Sequence, residues 1–156
     1  MTQETQDSDG YFGIGVYQVK RSQNVGMLWR SAYQLGAAFL FTTGTRYKPQ
    51  SDDVFKSWRH VPLFRYDTFE QMVDAAAYSC MLVGVEIGGE SLPDFVHPTR
   101  AVYLLGAEDG GLPNEIAAQC HRVISIPAVR LASYNVAVAG TLVMYDRMVK
   151  RNRQAL

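Results

Sequence analysis

The sequence predicts an α/β domain built on a mainly parallel β-sheet with helices on both faces. Two observations carry that expectation. Short, continuous apolar runs at residues 11–18 (YFGIGVYQ), 80–86 (CMLVGVE) and 101–105 (AVYLL) suit strands buried on both sides, as parallel sheets require. Between such runs lie segments whose apolar residues recur at helical spacing, and strands alternating with helices are the pattern of crossover-connected parallel sheets.

In chain order, residues 11–18 have strand composition. Residues 24–36 then place Val25, Leu28, Ala32 and Leu35 on one helical face, with Asn24 suited to the N-cap and Gly36 to the C-terminal stop. A second buried strand is expected at 38–42 (AFLFT). Residues 44–59 are polar and irregular, with a short helix around 52–58, and a strand follows near 61–66. Thr68 suits the cap of a helix over 68–78. After the strands at 80–86 and 101–105 come a glycine-rich loop, a short helix at 114–120, a last strand at 123–126 and a last helix at 134–151.

The bulk numbers bound the protein class. With 156 residues the chain is one domain, expected to span 11–156 after a polar tail at 1–10, and large enough for its own core. It is 47% apolar and 19% charged, and no apolar run of about 18 residues is present to cross a bilayer. The first ten residues lack the basic and apolar regions of a signal or transit peptide, so a cytoplasmic protein is expected. Cys80 and Cys120 form no CxxC pair, and His60, His97 and His121 are scattered, so neither a disulfide framework nor a metal site is expected. Fifteen basic and fifteen acidic side chains leave no net charge, which argues against gripping nucleic acid by bulk electrostatics. Basic residues nevertheless gather early in the chain (Lys20, Arg21, Arg30, Arg46, Lys48, Lys56, Arg59), interleaved with Trp29, Tyr33, Tyr47, Phe55 and Trp58. That composition suits RNA contact and suits a core equally well.

Ligands in open parallel sheets sit beyond the carboxyl ends of the strands. Three loops at such ends, 86–89, 106–113 and 127–135, are expected to converge on one site. The loop GAEDGGLP at 106–113 has neither the GxGxxG spacing nor the GK[ST] ending of a phosphate cradle, and Glu108 and Asp109 would repel a polyphosphate. The stretch 124–144 passes through Ser133 and Asn135 into an apolar helix and reads as the wall of a pocket.

Three stretches, NVGMLWR (24–30), LLGAEDGGLP (104–113) and SIPAVRLASYNVAVA (125–139), stand in a telling order. Together they resemble the motifs of the SpoU/TrmH family of RNA ribose 2'-O-methyltransferases in the SPOUT superfamily: N-x-G-x-x-x-R, G-x-E-x-x-G-L, and Ile-Pro-Met followed by a Ser-Leu-Asn-Val stretch. The resemblance covers most of the chain from Tyr11 onward. It implies a SPOUT-type α/β fold with a C-terminal trefoil knot, S-adenosylmethionine bound in that knot, and a homodimer whose active sites take residues from both subunits. The implied substrate is RNA, with tRNA the first expectation and rRNA the second; a knotted RNA-binding protein that has lost catalysis is the alternative.

Carried over position by position, the resemblance makes Arg30, Asn24, Glu108, Ser133 and Asn135 catalytic. It assigns Val85, Glu86, Leu105, Gly106, Ile126, Ala128, Leu131, Ser133 and Asn135 to the cofactor, and assigns no metal ligands. The chain departs from the pattern in the third motif, where Ala128 replaces the Met, Arg130 the Gly and Tyr134 the Leu. The apolar circumference of residues 136–145 points the last helix toward a partner subunit.

Overall fold

The computed structural model of the protein describes residues 10–44, 59–76 and 78–154. Six strands, β1 (Tyr11–Tyr17), β2 (Phe39–Thr43), β3 (Leu63–Tyr66), β4 (Met81–Ser91), β5 (Arg100–Leu105) and β6 (Arg122–Ser125), form one sheet in the order β3-β2-β1-β5-β4-β6. Every neighbouring pair is parallel. The helices are α1 (Ser22–Leu35), α2 (Phe69–Ala75), α3 (Asn114–Ala117) and α4 (Val136–Gln154).

The continuous apolar runs are explained by two cores, one on each face. Along β5, Ala101, Tyr103 and Leu105 enter the core under α1 and α4, while Val102 and Leu104 enter the core under α2 and α3. With side chains alternating between faces, a strand covered on both sides must be apolar throughout. Gly140 lets α4 lie close, because a Cβ there would run into Leu28 of α1, Leu105 of β5 and Ile14 of β1. Lower on α4, the buried Arg147 donates to the carbonyls of Pro98 (2.6 Å) and Thr99 (2.9 Å) and to the Tyr103 hydroxyl (3.1 Å). His97 bridges that hydroxyl (2.6 Å) and Asp146 (2.8 Å). Burial pushes the Tyr103 phenol up to about 12 against the pull of Arg147, and burial lowers His97 against the opposing pull of Asp146. This network pins α4 at the end of the sheet where β5 begins.

Most boundaries fall within two or three residues of expectation, and three differences have physical causes. Helix α1 starts at Ser22 with Arg21 in the capping position, so Asn24 lies inside the helix and is buried, not at its cap. Strand β4 runs on to Ser91 through Gly88 (φ 89°) and Gly89, where the sequence reads as a breaker. There Ile124 pairs with both Val85 and Glu90 across a register shift, and a Cβ on Gly89 would strike the backbone of Val123 and Ile124. Helix α2 stops at Ala75, short of Tyr78, although Thr68 caps it as expected by accepting from the Gln71 amide (3.2 Å). The short helix expected at 52–58 lies outside the described residues, as do residues 1–9 of the tail. No helix of the described residues is long and apolar enough to cross a membrane, and among them no group of three His, Cys, Asp or Glu could hold a metal.

Candidate functional site

Strand order reverses beside β1: β2 and β3 extend the sheet one way, β5, β4 and β6 the other. Loops leaving strands at such a point diverge and open a crevice. A cavity of about 300 Å³ lies on the β5 side of that point, beyond the carboxyl ends of β4, β5 and β6. The three strand-end loops singled out from sequence do converge on it: Glu86 and Ile87 from the first, residues 106–111 from the second, and Ala132, Ser133 and Tyr134 from the third.

The middle loop is shaped by close backbone approach. Ala107 and Gly111 bond to each other in both directions (3.3 and 3.0 Å). A Cβ at Gly106 would occupy the backbone of Gly111 and Leu112, and Gly111 itself takes a left-handed φ of 62°. Glu86 clasps the turn, accepting from the Leu112 amide (2.6 Å) with one carboxylate oxygen and from the Ile87 amide (2.8 Å) with the other. The floor is apolar: Val85, Leu105, Ile126, Val136 and Ala139 all face the cavity.

Behind this loop, Glu108 binds the segment at 20–24 and through it the start of α4. It accepts from the backbone amides of Lys20 (2.9 Å) and Arg21 (3.0 Å) and from Asn24 Nδ2 (2.8 Å). A helix N-terminus carries unpaired N–H groups and partial positive charge, so this carboxylate replaces the side-chain cap that Arg21 does not provide. Asn24 Oδ1 in turn accepts from Asn135 Nδ2 (3.0 Å), and Asn135 Oδ1 caps α4 by accepting from Ala137 (2.9 Å) and Val138 (3.2 Å). One chain of hydrogen bonds thus fixes the starts of α1 and α4 relative to the loop after β5. Burial alone would raise the Glu108 pKa; the hydrogen bonds it accepts, led by that from Asn24, outweigh burial and hold it below the ordinary carboxyl value.

This network predicts an acid-side signature. A carboxyl depressed in the folded state contributes its full stability above its unfolded pKa, and that contribution is lost as pH falls through the folded value. Asn24→Asp removes the amide donor and sets a second carboxylate against Glu108, so it is expected to cost about 2 kcal/mol at pH 7. Protonating either acid relieves the repulsion, so the gap to wild type should narrow as pH falls through the carboxyl range. Thermal melting from pH 3 to 8 measures both effects, and a pH-independent gap would contradict the ionised Glu108.

Of the residues singled out from sequence, Val85, Glu86, Leu105, Gly106, Glu108, Ile126 and Ser133 line the cavity. Asn24 and Asn135 stand behind it in the Glu108 network. Arg30, Ala128 and Leu131 are exposed, and none of the three is among the lining residues. Lys20 and Arg21, read from sequence only as members of the early basic group, enter the site through their backbone amides, which no side-chain pattern encodes. Their side chains matter less, since the 3.6 Å pair between Lys20 and Asp109 is open to solvent. Tyr134, a departure from the motif pattern, closes its own loop by donating to the Pro127 carbonyl (2.7 Å).

Comparison with known proteins agrees with this fold. The chain superposes on AviRb from Streptomyces viridochromogenes, described as a SpoU methyltransferase, with a TM-score of 0.83 and 27% identity, over 92% of this chain and 61% of that one. AviRb has also been solved in complex with AdoMet. A structure described as giving insight into 2-OH methylation of C/U34 on tRNA superposes with a TM-score of 0.82 and 25% identity, over 92% of both chains. An uncharacterized tRNA/rRNA methyltransferase of Archaeoglobus fulgidus is 25% identical over 142 residues, 87% of this chain and 63% of that protein. The chain therefore spans about three-fifths of the length of the curated relative and of AviRb. Residues 12–145 match the SpoU rRNA methylase family, and with them all three motif regions, the Glu108 network and the cavity; the chain belongs to that family.

Proposed function

We propose that the protein is an S-adenosylmethionine-dependent RNA methyltransferase that modifies a ribose 2'-hydroxyl, with tRNA as its substrate. The observation that carries the reading is the strand-end cavity, with its apolar floor and its rim of backbone groups. Val85, Leu105, Ile126, Val136 and Ala139 offer an apolar seat for an adenine, and the backbone of residues 106–111 and 132–133 offers donors and acceptors to a ribose and an amino acid moiety. The fit is also steric, since the cradle exists only while Gly106 and Gly111 lack side chains. S-adenosylmethionine would supply an electrophilic methyl group on a sulfonium. Support for the cofactor comes from AviRb with AdoMet, and support for ribose and tRNA from the C/U34 structure, which this chain matches over nearly its whole length.

In this reading Glu108 is a positioning residue. With three N–H groups already on its carboxylate and a depressed pKa it makes a poor base, and its role is to hold Asn24 and the start of α1. Arg30, six residues further along α1, faces solvent where an RNA phosphate can approach. The reading includes a homodimer, supported by an exposed apolar stripe on α4 at Val138, Leu142 and Tyr145. It includes the C-terminal knot, supported by the chain's path: β6 pairs outside β4, and α4 then returns to pack on α1. Calorimetry should give saturable S-adenosylmethionine binding. Ribose mapping of RNA from a deletion strain should reveal one unmethylated 2'-hydroxyl that the purified protein restores. Binding without transfer to any RNA would instead favour a knotted RNA-binding protein, and a monomer at micromolar concentration in sedimentation would remove the dimer.

A further inference from the structure

We infer that Tyr33 and His60 form a stacking platform for a nucleobase that flanks the modified nucleotide, an inference that rests on the RNA-modifying reading above. The two rings lie face to face, 4.5 Å between centroids and 16° from parallel. Both residues are exposed, Tyr33 at 45% of its surface. A large aromatic pair open to water has left apolar faces unused, and a base is the ligand whose flat face matches them.

The pair is held in place. Trp29 Nε1, one turn before Tyr33, donates to the carbonyl of Val61 (2.8 Å), and the Leu40 amide donates to Pro62 (2.9 Å), so the segment carrying His60 is tied to α1 and β2. A platform fixed before binding loses little entropy on contact. Its charge also suits RNA: Arg30 lies three residues before Tyr33 on α1, Arg59 adjoins His60, both are exposed, and α1 carries no acidic residue.

Position argues for a flanking base and not the target. Gly26, Arg30 and Tyr33, four and three residues apart, share one face of α1, and that face runs from the cavity end of the helix to the ring pair. Nothing lies within 4 Å of where a Cβ on Gly26 would stand, so the backbone there is open to an approaching strand. From Asn24, bonded to Glu108 at the cavity, to Tyr33 is nine residues, or two and a half turns: about 13.5 Å along the axis and halfway round the helix. A strand whose ribose enters the cavity passes round α1, meets Arg30 with a phosphate and reaches the ring pair with a flanking base. The apolar stripe on α4 is not part of this path, because α4 packs on the opposite side of α1, through Leu28 and Ser31.

The test is methyl transfer from labelled S-adenosylmethionine into deproteinised total RNA from a strain lacking the gene. Tyr33→Ala should raise the apparent KM for RNA about tenfold, as loss of one base stack does, with a smaller change in kcat. Tyr33→Phe, which keeps the ring, should restore most of the affinity, and S-adenosylmethionine binding and the melting temperature of both should stay near wild type. The salt slope of RNA binding should be unchanged in Tyr33→Ala and should fall by about 0.7 in Arg59→Ala, which removes one phosphate contact. A KM unmoved in Tyr33→Ala while the wild type transfers methyl groups would overturn the platform and leave the function standing. A loss in Tyr33→Ala explained by a fallen melting temperature, with Tyr33→Phe equally impaired, would reduce the stack to a structural contact. Absence of transfer by the wild type to any RNA would overturn the reading on which the platform rests.

Discussion

Gly106→Ala is expected to abolish S-adenosylmethionine binding while leaving a folded protein. The cause is a backbone collision. A methyl at this position would stand where the backbone of Gly111 and Leu112 passes, and no side-chain rotation can move backbone aside. To admit it the loop must open, which breaks the paired bonds between Ala107 and Gly111 and draws Leu112 away from Glu86. Overpacking of this kind costs about 1–3 kcal/mol, within the stability of a domain of this size. The cavity suffers more than the fold, since residues 106–111 form its rim and move as a unit. A rise in Kd of at least about a hundredfold is expected, corresponding to roughly 2.7 kcal/mol of lost interaction. Calorimetry with S-adenosylmethionine, alongside a melting curve without ligand, separates the two effects. Wild-type affinity in a folded Gly106→Ala protein would place the cofactor away from this loop.

The legible and illegible parts of the chain divide on a physical line. The parallel sheet could be read because burial on both faces forces long apolar runs, and Tyr103 and Leu104 are apolar for opposite faces of one strand. Gly36 could be read as a stop because the left-handed turn it makes, φ 85°, favours glycine from local sterics alone. The convergence of three loops could be read because parallel topology brings carboxyl ends together. Partnerships across long stretches of sequence could not. Asn24 looks like a cap because asparagine before an apolar periodic run generally is one, yet here the cap is Glu108, 84 residues away. The extension of β4 through Gly88 and Gly89 fails locally and is rescued by pairing with β6. Motif matching likewise assigns Ala128 and Leu131 to the cofactor; neither is among the residues lining the cavity, to which that loop contributes Ala132, the expected Ser133, and Tyr134. Local rules work where one segment decides its own geometry.

Arg30→Lys is expected to leave S-adenosylmethionine affinity unchanged and to lower kcat by about a hundredfold or more, the loss typical of removing one donor aimed at developing negative charge. A ribose hydroxyl is a weak nucleophile, and as it attacks a methyl group its oxygen must shed a proton and carry charge in line with the departing sulfur. Arginine does not supply the basicity, because the guanidinium keeps its proton in any ordinary site. What it supplies is a planar fork that can hold a phosphate with two parallel bonds and keep the adjoining ribose in register. Lysine keeps the charge and loses the fork, so the substitution separates geometry from electrostatics. The position supports that division of labour: Arg30 is exposed on the face of α1 that carries Gly26, outside the residues lining the cavity, so its replacement should not disturb the cofactor. It also predicts that the pH profile of the residual activity keeps its shape, since neither arginine nor an exposed lysine titrates near neutrality. Single-turnover transfer at saturating cofactor and RNA, over pH 6 to 9, measures the loss and the profile together. Normal turnover in Arg30→Lys would show that charge alone suffices; lost cofactor binding would show that Arg30 reaches the cavity after all.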